Sequence, residues 1–251
     1  MILTPKFVYI HLPKTGGTFV SSVMGRLIRR RGYWARVRNR LVGKQFINEN
    51  QHGTCLEIPA SHRHLPVVSC VRNPYDRFVS IYHFRKRKGG PDFVPKEPDG
   101  TGTARREATF ADYIDAFTAR YAGKDRAPHP VENRIGFQSE QFVRFFFRAP
   151  EAAWPLLDDA YIAGRRWEAD MFPVRFLRME SLNRDLHRFL LDSGIDEEQA
   201  AFVLEEGKIL PAGSNRTEAR HWSEYYTPGL RALVRRHESL LFSIFPEYDA
   251  P

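Results

Sequence analysis

This chain of 251 residues is poor in several things, and each scarcity closes off a class of protein. It has only two cysteines, Cys55 and Cys70. That is too few for a disulfide framework, and their spacing fits no thiolate metal site. Both lie in or beside apolar stretches and read as buried free thiols. No uninterrupted apolar run approaches membrane-spanning length, so no stable membrane insertion is expected. No repeat, low-complexity tract or linker composition divides the chain, and one domain over residues 1–251 is the expectation. No His, Cys, Asp or Glu cluster has convincing metal-ligand spacing, so no metal is expected. The chain runs almost directly into a strand with no signal-peptide layout. Read as a full-length chain, it is expected to be cytoplasmic.

What the chain does have is a globular balance, 42% hydrophobic and 27% charged, with a net charge of +8. The positive excess suits an anionic partner, whether nucleic acid, phosphorylated small molecule or acidic glycan. Basic residues concentrate in 26–44 and 85–88. Such runs read either as solvated faces or as a surface for an acidic acceptor or a nucleic acid. A basic nucleic-acid-binding protein is therefore the alternative reading, although no recognised nucleic-acid module accompanies the runs.

The most informative stretch is Phe7-Val8-Tyr9-Ile10-His11-Leu12-Pro13-Lys14-Thr15-Gly16-Gly17-Thr18-Phe19. Its apolar, β-branched and aromatic start predicts a buried strand. Helical spacing of Phe19, Val20, Val23, Met24 and Leu27 predicts a helix after the glycines. A strand, a glycine-bearing loop and a helix N-terminus together make an anion cradle. Lys14 adds a charge, and Thr15 and Thr18 add hydroxyls. The nucleoside triphosphate loop places Lys after its last Gly, with another Gly upstream. Here Lys14 precedes Gly16 and Gly17, so a nucleotide kinase is disfavoured.

A second strand is predicted in Leu65-Pro66-Val67-Val68-Ser69-Cys70-Val71, whose near-continuous apolar run suits a parallel sheet. Arg72 leaves it just as a helix begins. Asn73 suits the N-cap, Pro74 the first helical position and Asp76 the first turn. Further helices are expected around 109–117 and at 180–191, the latter ended by Gly194, while 135–147 is expected to pack against another part of the chain. Others are expected at 197–206 and from Thr227 to about Phe242, with a strand near 172–179. The phenylalanines of 137–147 read as core. The fold class expected is α/β, a single domain with a central, mostly parallel sheet flanked by helices.

His11-Leu12-Pro13-Lys14-Thr15-Gly16-Gly17-Thr18 and Val71-Arg72-Asn73-Pro74-Tyr75-Asp76-Arg77-Phe78-Val79-Ser80 together resemble the two nucleotide-binding motifs of sulfotransferases. The likeness is greatest to the carbohydrate-type branch that includes heparan sulfate 2-O-sulfotransferase and bacterial relatives. Gln51-His52-Gly53-Thr54, Leu177-Arg178-Met179-Glu180-Ser181-Leu182 and Asn215-Arg216-Thr217 resemble further family segments in order. The chain departs from the family at Phe19, where Ser is common, which removes one possible phosphate hydroxyl.

The resemblance implies a P-loop-like phosphosulfate loop and the donor 3′-phosphoadenosine 5′-phosphosulfate (PAPS), leaving adenosine 3′,5′-bisphosphate as product. It implies that Lys14, Thr15, Gly16, Gly17, Thr18 and Phe19 hold the 5′-phosphosulfate and that Arg72 and Ser80 hold the 3′-phosphate. Asn215, Arg216 and Thr217 would close over the nucleotide. Sulfuryl transfer needs positioning, charge stabilisation and a general base for the acceptor hydroxyl. Lys14 and His52 are the expected catalytic residues, with His11, Glu49 and His83 as weaker candidates for the base. The partner implied is a hydroxyl-bearing acceptor, a carbohydrate or glycoconjugate, and not nucleic acid. Acceptor choice is expected to reside in 33–44, 85–106 and 123–134.

Overall fold

A computed structural model describes residues 1–30, 50–87, 109–121, 135–207 and 220–249. The basic run 26–44 beyond residue 30, most of the expected acceptor segments, Glu49 and the trio Asn215, Arg216 and Thr217 lie outside the described residues. The chain resolves into two compact units, residues 1–72 with 171–217 and residues 73–170 with 218–251. Helices of ten residues or more are labelled α1 to α6 in chain order.

The first unit holds the sheet. Strands β1 (Ile2–Leu3), β2 (Val8–Ile10), β3 (Val67–Val71) and β4 (Val174–Arg178) lie in the order β1-β2-β3-β4. β2 runs parallel to β3 with Ile10 opposite Ser69, and β3 parallel to β4 with Val71 opposite Arg178. β1 is antiparallel to β2, which makes the sheet mixed. The Ser69 hydroxyl, fully buried, donates to the Ile10 carbonyl at 2.7 Å and ties the ends of the two central strands together.

Tyr9, Val68, Cys70 and Leu177 alternate along their strands and so share one face. Against them pack Phe19, Val20, Val23, Met24 and Leu27 of α1 (Gly17–Arg30) and Leu182, Leu186, Phe189 and Leu190 of α5 (Leu182–Asp192). The i, i+4, i+7, i+8 spacing of the α5 set is the reason a single stripe reaches the core. Cys70 is buried with the Tyr9 hydroxyl 3.5 Å from its sulfur, and Cys55 is buried too, both as free thiols.

The second unit is helical. α2 (Pro74–Arg87), α3 (Phe110–Tyr121), α4 (Phe137–Phe146) and α6 (Pro228–His237) surround an aromatic interior. Asn73 caps α2 as expected, its side chain accepting from the Tyr75 N–H at 2.9 Å. Thr109 and Asp112 cap α3 reciprocally, and Thr227 caps α6. Phe142, Phe145, Phe146 and Phe147 are at most 1% exposed, so this aromatic run is core. Tyr75 stacks on Trp222 at 5.2 Å and tilts against Phe242 at 5.2 Å.

The one long helix expected from Thr227 to about Phe242 is a correction: it breaks at Glu238, and a short helix Ser239–Ile244 follows. The cause is a carboxylate turned inward. Glu238 is fully buried and accepts from the Gln138 N–H at 3.1 Å, the Ser139 N–H at 2.7 Å and the Ser139 hydroxyl at 2.7 Å. It thus satisfies the open N–H groups at the start of α4, where negative charge is favoured. Burial pushes its acidity toward the neutral form, and the Ser139 and Gln138 hydrogen bonds oppose that. Glu238→Ala should lower stability by about 2–4 kcal/mol in urea denaturation, because three buried donors lose their acceptor. Glu238→Gln, which keeps one acceptor oxygen, should cost less.

Candidate active site

The site grows from the end of β2. The strand stops at Ile10, and the chain turns through Pro13, Lys14, Thr15 and Gly16 into α1. Two residues of the turn are left-handed, Lys14 at φ 66° and Gly16 at φ 102°. Gly16 tolerates this freely. Lys14, which has a Cβ, costs about 1 kcal/mol in that conformation, and residues held so tend to cluster where a loop is built for a ligand. Thr15 is fully buried, and its hydroxyl donates to the Leu12 carbonyl at 2.8 Å. The hydroxyl expected to face an anion therefore closes the turn instead.

The first backbone bond of α1 in the turn runs from the Val20 N–H to the Gly16 carbonyl at 3.2 Å. The N–H groups of Gly17, Thr18 and Phe19 precede that ladder, and no acidic residue occupies the first turn of α1. An oxyanion placed there meets main-chain donors and the positive end of the helix dipole. Thr18 is exposed beside them. The Phe19 side chain is 5% exposed and packs in the core, so only its backbone faces the turn.

His11 sits beneath this loop. Its side chain is 7% exposed, and a Cβ on Gly17 would come within 1.9 Å of its Nε2. Glycine at 17 is thus required by contact with the imidazole, while Gly16 faces Met179 and Leu182 with no room for a Cβ either. Burial, with the nearby His52 ring contributing, pushes His11 down to about 4. It is neutral through the physiological range.

His52 stands on an exposed turn beside His11, with ring centroids 5.0 Å apart. Its Nδ1 lies 3.3 Å from the His11 carbonyl oxygen. A carbonyl only accepts, so neutral His52 carries its proton on Nδ1 and leaves the lone pair on Nε2. From the end of β3, Arg72 directs Nη1 to the Lys14 carbonyl at 3.5 Å. The parallel pairing of β2 and β3 thereby brings Arg72, Lys14, the α1 N-terminus, His11 and His52 into one unit.

The remaining expected residues fall elsewhere. Ser80 is half-buried on α2 in the second unit. Arg77, 2% exposed, donates to the side-chain oxygens of Gln138 and Gln141 in that unit. His83 Nε2 lies 2.8 Å from the Tyr225 hydroxyl. Asn50 and Glu57, which brace the turn around His52, escaped the sequence reading. The Thr-x-x-Glu spacing of Thr54 and Glu57, a capping-box pattern, is the signal that could have found one of them. Among the described residues, no group of three or more His, Cys, Asp or Glu side chains is arranged to hold a metal ion, and no helix is long and apolar enough to cross a membrane.

Two outcomes follow from this geometry. His11 has a folded pKa below the value of about 6.5 it has when unfolded, so the unfolded chain binds the proton more readily. Its contribution to stability is complete above about pH 6.5 and falls away as pH drops toward about 4. The loss should approach roughly 3 kcal/mol in urea titrations across that window, and His11→Asn should flatten it. Gly17→Ala should destabilise by about 1–3 kcal/mol in the same measurement, because the imidazole must move to admit the methyl group.

The model of the sulfotransferase family matches residues 3–128, just over half of the chain. No curated protein matches it. Among solved structures, mouse sulfotransferase SULT7A1 complexed with PAP is similar at 14% identity, with 94% of this chain and 83% of that chain covered and a TM-score of 0.47. The matched segment contains the Lys14 loop, the His52 turn and the strand that ends at Arg72, and by it the chain belongs to the sulfotransferase family.

Proposed function

We propose that this sulfotransferase takes its sulfuryl group from PAPS and delivers it to a hydroxyl of a carbohydrate or glycoconjugate. The observation that carries the reading is the gathering of Lys14, the open N-terminus of α1, Arg72 and His52 around the ends of β2 and β3. The residues suit the donor. A phosphosulfate needs donors and positive charge at close range, and the turn supplies backbone N–H groups with a lysine beside them. PAPS supplies an activated sulfuryl group on a phosphate leaving group. In the transfer, the acceptor oxygen bonds to sulfur as the bond from sulfur to the phosphate oxygen breaks.

The chain's own part is positioning and charge. Lys14 balances negative charge that grows on the leaving oxygen, in the manner of an oxyanion-hole donor. His52 receives the acceptor's hydroxyl proton at Nε2, the nitrogen left unprotonated by the contact of Nδ1 with the His11 carbonyl. Arg72 adds a second cation beside the loop and is proposed to hold the 3′-phosphate. Thr18 and the backbone of Gly16, Gly17 and Phe19 complete the proposed donor site, with Thr15 acting through its backbone. The net charge of +8 supports an acidic or polar glycan as acceptor.

Calorimetric titration with adenosine 3′,5′-bisphosphate tests the donor assignment, with AMP and ATP as controls. Tight binding of the bisphosphate, weak binding of AMP and loss of the difference in Arg72→Ala are expected. Equal affinity for bisphosphate and AMP would remove the 3′-phosphate site and the PAPS assignment with it. In turnover, Lys14→Ala should lower kcat about 10²–10³-fold, and His52→Ala about 10²–10⁴-fold. Both should leave the thermal midpoint nearly unchanged.

A further inference from the structure

His52 is exposed, and an exposed imidazole on a turn ordinarily samples several rotamers and both neutral tautomers. In water the neutral ring favours the proton on Nε2, which would leave the basic lone pair on Nδ1. The contact with the His11 carbonyl imposes the opposite arrangement. At 3.3 Å this contact is at the long end of the hydrogen-bond range, so it depends on how firmly the turn is held.

The turn is held by two side chains that lie outside the proposed chemistry. Asn50 Oδ1 accepts the His52 backbone N–H at 3.1 Å. Asn50 Nδ2 donates to Glu57 Oε1 at 3.1 Å, and Glu57 Oε2 accepts the Thr54 backbone N–H at 2.7 Å. One carboxylate therefore spans the turn, gripping a side chain before His52 and the main chain after it. The Thr54 N–H is the chief reason the Glu57 carboxyl is held below its ordinary range, so the clamp is a charged one. Gly53 is buried between the two grips, where a Cβ would meet the Met1 side chain at 2.5 Å. The residue after His52 is thus fixed as well.

We infer that Asn50 and Glu57 are positioning residues for His52: their clamp keeps the Nδ1–H on the His11 carbonyl and the lone pair on Nε2. The inference rests on the proposed role of His52 as base. It assigns these two side chains a function that their exposed positions on the turn would not suggest.

Two measurements test it. The first is ring-nitrogen NMR of the full chain labelled in histidine, recorded at a pH where His52 is neutral, with His52→Ala identifying its signals. The wild type should show a protonated Nδ1 and an unprotonated Nε2. Asn50→Ala and Glu57→Gln should shift His52 toward the ordinary Nε2–H form, while the thermal midpoint and the affinity for adenosine 3′,5′-bisphosphate stay within about twofold and a few degrees of wild type. Unchanged His52 signals in both variants would overturn the proposal.

The second is a double-mutant cycle read as release of adenosine 3′,5′-bisphosphate from PAPS with an unsulfated glycosaminoglycan oligosaccharide present. Glu57→Gln should lower kcat about tenfold with KM for PAPS unchanged, and should cost nothing further in a His52→Ala background. An equal loss in both backgrounds would show that Glu57 acts on the fold rather than through His52, and the inference would fail while the base assignment stood. Full turnover by His52→Ala would instead remove the base assignment, and this inference with it.

Discussion

The close approach of the His11 imidazole to Gly17 governs the first unit's site. A ring buried under the first turn of α1 leaves space for a hydrogen and nothing larger at position 17. That contact sets the height of the loop over β2, and so where the open N–H groups point. Because the ring is buried it stays neutral, and it therefore adds no charge of its own to the proposed anion cradle. The same residue faces the other way through its backbone: its carbonyl receives His52. Loop and proposed base are thus referenced to one residue, which limits how far either can drift from the other.

The sheet makes this possible at little cost. Parallel strands end on the same side, so a loop after β2 and a side chain after β3 become neighbours without any insertion. The hydrogen bond from Ser69 to Ile10 locks that register at the level of the site, just before both strands end. A slip of one residue would turn Tyr9 and Cys70 away from α1 and α5 and carry Arg72 off the loop. Packing and chemistry consequently enforce the same register.

Much of this was legible in the residues. The Lys14 loop, the strand ending at Arg72, and the Asn73–Pro74–Asp76 start of α2 are local signals, and local signals survive into structure. Four features were not legible, each for a physical reason. β1 is two residues long, too short for any alternation to show. The break at Glu238 arises from α4, a hundred residues away in sequence, and the surrounding apolar spacing gives no hint of it. The inward turn of the Thr15 hydroxyl and the pairing of His52 with the His11 carbonyl depend on tertiary placement, 41 residues apart in the latter case. Residue types suggested an anion loop and a base. Only the fold says which hydroxyl is occupied and which ring nitrogen is left basic.

The two margins of the sheet differ in kind from its centre. Among the described residues β1, at one margin, is two residues long, and β4 carries Arg175 and Arg178 along the other margin, with Arg175 paired to Asp192. A short border and a charged border are both poor templates for adding another strand. Self-association through sheet extension, the route by which open sheets grow into fibres, is therefore disfavoured at both ends of a sheet whose middle strands are among the most buried of the described residues. The buried strands that hold the site together are shielded from recruitment by the strands that contribute least to it.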